Sequence, residues 1–83
     1  MAELYASMAR RTITATLSGL SEEHKNGRTF HWYLDGTLVE TQQTKDHLST
    51  QEYTFTAVPY QAEHTVEVQV NDYSDEEEFG RFS

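Results

Sequence analysis

The sequence predicts an all-β domain, an antiparallel sandwich of about six or seven short strands with no disulfide. Three observations carry this expectation. Apolar and polar residues alternate in four separate stretches, as they do on strands with one dry face and one wet face. Turn residues punctuate the chain about every 8–12 positions. No stretch shows the apolar period of a helix.

The first seven residues carry no period and are expected to be flexible. Arg11–Leu17 then alternates: Ile13, Ala15 and Leu17 fall on one face and three Thr on the other. Ser18-Gly19 ends this strand. Ser21–Gly27 is polar and closes on Asn26-Gly27, a turn dipeptide. A second strand covers Arg28–Leu34, with Phe30, Trp32 and Leu34 against His31 and Tyr33. Asp35-Gly36 supplies the two positive-φ positions of a type I′ hairpin, and Thr37–Thr41 returns. Gln42–Gln51 is polar and fits a short edge strand or a loop. Tyr53–Ala57 alternates again before Pro59 interrupts, since Pro cannot donate to a central ladder. His64–Val70 places Val66, Val68 and Val70 on one face, and Asn71-Asp72 ends it. The acidic stretch 73–78 is expected to be flexible, and Phe79–Ser83 forms a last strand weakened by Gly80.

The chain has 83 residues, which makes a single domain, residues 1–83. A chain this short buries only about 60–65% of the surface its unfolded form exposes. Such a domain has one thin core and little room for a deep catalytic cleft. Ten aromatic residues, 12% of the chain, build that core, since each can bury roughly 150–250 Å². The core set is Trp32 with Phe30, Leu34, Ile13, Leu17, Phe55, Val66 and Val68.

The net charge of −8 argues against a nucleic-acid partner, which needs clustered Lys and Arg. It also argues against docking on an anionic membrane. No apolar run approaches the roughly 20 residues of a membrane span, and the first residues carry no signal-peptide core. The absence of cysteine excludes disulfides, thiolate metal sites and Cys nucleophiles.

Two segments together resemble immunoglobulin-like domains. Phe30-His31-Trp32-Tyr33-Leu34-Asp35-Gly36-Thr37-Leu38-Val39 is similar to their C strand and the turn after it, where a Trp is buried. His64-Thr65-Val66-Glu67-Val68-Gln69-Val70-Asn71-Asp72 is similar to the F strand of bacterial and phage Ig-like domains, the polycystic-kidney-disease (PKD) type being closest. The resemblance covers residues 12–72. It departs from antibody domains in lacking the inter-sheet cysteines, whose space Ala15 and Val68 would fill. His64 stands where an aromatic opens the F strand, so a tyrosine corner there would need Tyr60. Trp32 reaches Asp35-Gly36 without the extra Gly-Asp element of the PKD motif, which favours a generic Ig-like type. The resemblance implies a spacer, adhesive or decorating module in a bacterial surface protein, a carbohydrate-active enzyme or a phage virion.

Motifs for catalysis are absent: no nucleophile elbow, no phosphate-binding Gly loop, no carboxylate pair that stands out. His24, His31, His47 and His64 show no metal-binding spacing. Neither an enzyme nor a cofactor is expected. Asp72, Asp75 and Glu76 in the acidic run are the one alternative for a cation, here calcium, though without EF-hand spacing. His31 and Tyr33 point away from Trp32 and, with Thr54 and Thr56, would form a polar-aromatic sheet face for a protein or glycan. The expected function is a non-catalytic module of a larger extracellular, cell-surface or virion assembly. The alternative is a carbohydrate-binding accessory module of a secreted enzyme.

Overall fold

The computed structural model describes residues 2–20, 27–46, 49–60 and 63–83. Seven strands, and no helix among the described residues, form two antiparallel sheets that make a β-sandwich. Strands β1 (Glu3–Ala9), β2 (Thr12–Ser18) and β5 (Gln51–Phe55) make a three-stranded sheet in the order β1-β2-β5. Strands β3 (Arg28–Leu34), β4 (Thr37–Thr44), β6 (Val66–Asp72) and β7 (Glu78–Phe82) make a four-stranded sheet in the order β4-β3-β6-β7.

The alternation on β2 reads directly into packing. Ile13, Ala15 and Leu17 are buried, while Thr12, Thr14 and Thr16 lie on the other face. On β3, Phe30 and Trp32 are buried and Leu34 is half-buried at the strand end. Val68 and Val70 of β6 complete the core with Phe55 and Val58. Leu34 and Val66, expected inside, lie at its margin. They pair with each other at the end of the β3–β6 ladder.

Trp32 is fully buried and joins the sheets. Tyr53 stacks on its ring at 6.1 Å between centroids, and Phe55 meets it edge-on at 6.5 Å. Its indole N–H donates to Gln42 Oε1 at 2.7 Å. Gln42 in turn donates to the Glu52 carbonyl and accepts from Gln51 Nε2. A buried indole N–H needs such a partner, and this one ties β4 to β5 across the sandwich.

Asp35 and Gly36 take φ of 50° and 83°, and Leu34 pairs with Thr37, as a type I′ hairpin requires. Gly27 has φ +107°, and a Cβ there would overlap the Thr44 carbonyl and lie 2.8 Å from the Tyr73 ring. Only glycine fits this entry to β3.

Four boundaries differ from expectation. Residues 3–7 carry most of strand β1, which pairs with β2 from Glu3↔Ser18 to Ala9↔Thr12. Its side chains are mostly exposed, so main-chain bonds rather than an apolar period define it. Residues 42–44, expected as a short edge strand or a loop, continue β4 at the sheet edge. The strand expected at Tyr53–Ala57 is shifted to Gln51–Phe55, because Ala57 turns to φ 54° and Val58 N–H bonds to the Arg11 carbonyl. His64 and Thr65 precede β6 rather than open it, since the Thr65 main chain pairs with Asp35. Tyr60 is 78% exposed beneath the Arg11 guanidinium and supplies no tyrosine corner.

Candidate functional site: the outer face of the four-stranded sheet

Side chains alternate across a strand, so burying Phe30 and Trp32 turns Thr29, His31 and Tyr33 outward on β3. Register then sets their neighbours. His31 lies between Thr41 of β4 and Gln69 of β6; Tyr33 lies between Leu38 and Glu67; Thr29 lies between Gln43 and Asn71. Arg81 of β7 flanks Gln69.

These side chains form a continuous hydrogen-bonded line from one sheet edge to the other. Thr41 Oγ1 meets His31 Nδ1 at 3.0 Å, and His31 Nε2 meets Asp75 Oδ1 at 2.7 Å. Asn71 Nδ2 donates to the same carboxylate at 2.6 Å, and Gln69 Nε2 donates to Asn71 Oδ1 at 3.1 Å. Arg81 closes the line, donating to Gln69 Oε1 at 3.0 Å and to Glu78 at 2.9 Å. The β6–β7 turn thus folds back over the face. Thr29 and Gln43 both donate to the Tyr73 carbonyl and hold it there.

Charge follows geometry. His31 and then Asn71 hold the Asp75 carboxyl below its ordinary range, against the opposing effect of burial. Glu78 raises the Arg81 guanidinium. The result is a surface of hydrogen-bonded carboxamides, hydroxyls and paired charges, with the Tyr33 ring and the half-exposed Leu38 at one end. Such a face offers directional donors and acceptors to a flat polar partner.

The expected site divides. His31 and Tyr33 share this face, but Thr54 and Thr56 do not join them. Thr54 is on the exposed face of β5 in the other sheet, where its Oγ1 meets Thr14 Oγ1 at 3.3 Å. Thr56 lies just past β5 and is exposed. The reason is topological: β3 and β5 belong to different sheets, so their outward faces look in opposite directions.

The carboxylates of the acidic run also go to separate tasks. Asp72 Oδ1 accepts the Glu76 and Glu77 amides, and its Oδ2 accepts the Ser74 hydroxyl. The Glu77 amide is the main cause of its lowered pKa. Asp72 therefore caps the turn, Asp75 holds His31, and Glu76 contributes its main chain. Among the described residues no three His, Asp or Glu side chains converge as a cation would need. His24 and His47 lie outside the described residues.

Two features were beyond sequence reasoning. Arg28 is 2% exposed at the start of β3, and burial lowers its pKa. The His31–Asp75 pair spans 44 positions, so no local spacing announces it. The available signal was the alternation on β6, which puts Gln69 and Asn71 on one face. No protein-family model matches this chain, and neither a curated protein nor a solved structure matches it significantly.

Proposed function

We propose that this protein is an immunoglobulin-like, non-catalytic contact module of a larger extracellular, cell-surface or virion assembly, and that the outer face of the four-stranded sheet meets its protein or glycan partner. The observation that carries this reading is the hydrogen-bonded line from Thr41 to Arg81 across the outer face of the four-stranded sheet. Its groups are oriented in advance, so a partner meets them without first ordering flexible side chains, and the entropic cost of binding is reduced. The strand order supports the Ig-like assignment. With β1, β2 and β5 as strands A, B and E, the second sheet reads C′, C, F and G, and the buried Trp falls on strand C.

Surface placement is tested by antibodies raised against the domain, which should label intact cells or particles that carry it. Labelling only after lysis would contradict the reading. The partner class is tested on a glycan array with the wild type and Tyr33→Ala. Saturable sugar binding lost in Tyr33→Ala would support a carbohydrate-binding module over a protein-contacting one.

A further inference from the structure

We propose that His64 is a protonated clasp that holds the β3–β4 turn to the connection between β5 and β6, and that removing its proton loosens that connection. Both ring nitrogens face acceptors. Nδ1 lies 2.6 Å from Asp35 Oδ2, and Nε2 lies 2.8 Å from the Pro59 carbonyl oxygen. A carbonyl oxygen has no proton to give, and an ionised carboxylate has none either. Two short contacts to two acceptors therefore need an N–H on each nitrogen, which only imidazolium carries. A neutral ring would aim a lone pair at one of them.

The clasp is set in a closed loop of bonds. Asp35 Oδ1 accepts the Thr65 amide at 2.8 Å, and the Asp35 amide donates to the Thr65 carbonyl at 2.7 Å. The turn thus grips Thr65, next to the ring, through both its amide and its carbonyl. The His64 side chain is 3% exposed and that of Asp35 is 38% exposed, so the ring depends on its protein partners more than the carboxylate does.

The charged groups around the ring, among the described residues, come from several elements. Asp35 comes from the hairpin turn. Arg11, from the β1–β2 turn, donates to the Val58 carbonyl and lies over the Tyr60 ring. Glu63 and His64 line an open cleft of about 400 Å³, to which β1 contributes Ala6, Ser7 and Met8 and β2 contributes Ile13. The Asp35 carboxylate, then the Pro59 carbonyl, raises the His64 pKa above its ordinary 6.5 against the effect of burial. Asp35 is lowered, first by the Thr65 amide and then by His64. A raised histidine contributes stability that is complete below its unfolded pKa and is lost as pH rises through its folded value. The clasp therefore holds fully below pH 6.5 and releases as pH rises through the raised His64 value.

Long-range ¹H–¹⁵N NMR on the labelled chain tests this. Both His64 nitrogens should be protonated below the midpoint, and that midpoint should lie above 6.5. Asp35→Asn should move it down toward the ordinary histidine value. Protection of the Thr65 amide from exchange, corrected for intrinsic rate, should fall about tenfold across the midpoint. A midpoint at or below 6.5, a midpoint unmoved by Asp35→Asn, or Thr65 protection that ignores the titration would each overturn the proposal. The wild-type measurement needs no variant to fold.

Discussion

Trp32 carries two separable contributions, one from its buried ring and one from its N–H. Trp32→Ala removes the ring from between Tyr53 and Phe55 and should cost about 3–5 kcal/mol. A domain of this size holds on the order of 5–10 kcal/mol in total, so the variant should be largely unfolded in urea titration. Gln42→Leu keeps the ring but strands its N–H, and should cost about 1–3 kcal/mol. Equal stability of Gln42→Leu and wild type would mean the N–H finds another partner. The burial of Trp32 was legible because it sits in strict alternation with His31 and Tyr33. Its partner Gln42 was not, because a polar residue in an aperiodic stretch looks like a loop. Tyr53 was visible as a strand residue, but nothing in its neighbours says that it stacks on an indole.

Strands were legible where one face is dry and obscure where neither is. Strands β2, β3 and β6 bury one face, so their composition alternates. Strand β1 is an edge strand with mostly exposed side chains, and it is held by its ladder to β2. Its turn also lacks a signal, since Arg10 takes φ 57° where glycine, Asn or Asp is usual. Gly27 is the opposite case, a turn glycine visible in sequence whose packing was not. Gly27→Ala puts a Cβ into the Thr44 carbonyl and the Tyr73 ring at φ +107°. It should cost about 3 kcal/mol from strain and overpacking together, measured by chemical denaturation. A neutral result would mean the Tyr73 segment moves aside freely. The site was half legible for a related reason. Alternation gives the face of a residue on its strand, whereas sheet membership depends on pairings more than 30 positions apart. His31 and Tyr33 share one face of β3, whereas Thr54 belongs to the other sheet and Thr56 lies outside the strands.

For the whole molecule, charge and pH act together. Asp35, Asp72 and Asp75 all have lowered pKa values in the fold. A lowered carboxylate contributes stability above its unfolded pKa of 3.8, and this is lost as pH falls through its folded value. His64 is raised above 6.5, so its contribution is lost on the alkaline side. Net charge reinforces the alkaline loss, since −8 at pH 7 makes the compact state repel itself. Thermal melts from pH 2 to 10 should therefore give maximum stability between about pH 4 and 6.5, the two unfolded reference values. A melting temperature that climbs steadily from pH 6 to 9 would contradict this assignment.

Two sheets close over Trp32 and turn the His31–Tyr33 face of the four-stranded sheet outward. Cross-strand NOEs in the folded protein test it most directly. They should link β3 to β4 and β6, with Trp32 opposite Val68 and the indole N–H close to Gln42, and β2 to β1 and β5. Main-chain NOEs pairing β3 with β5 would put His31 and Thr54 in one sheet, and both the sandwich and its contact face would be wrong.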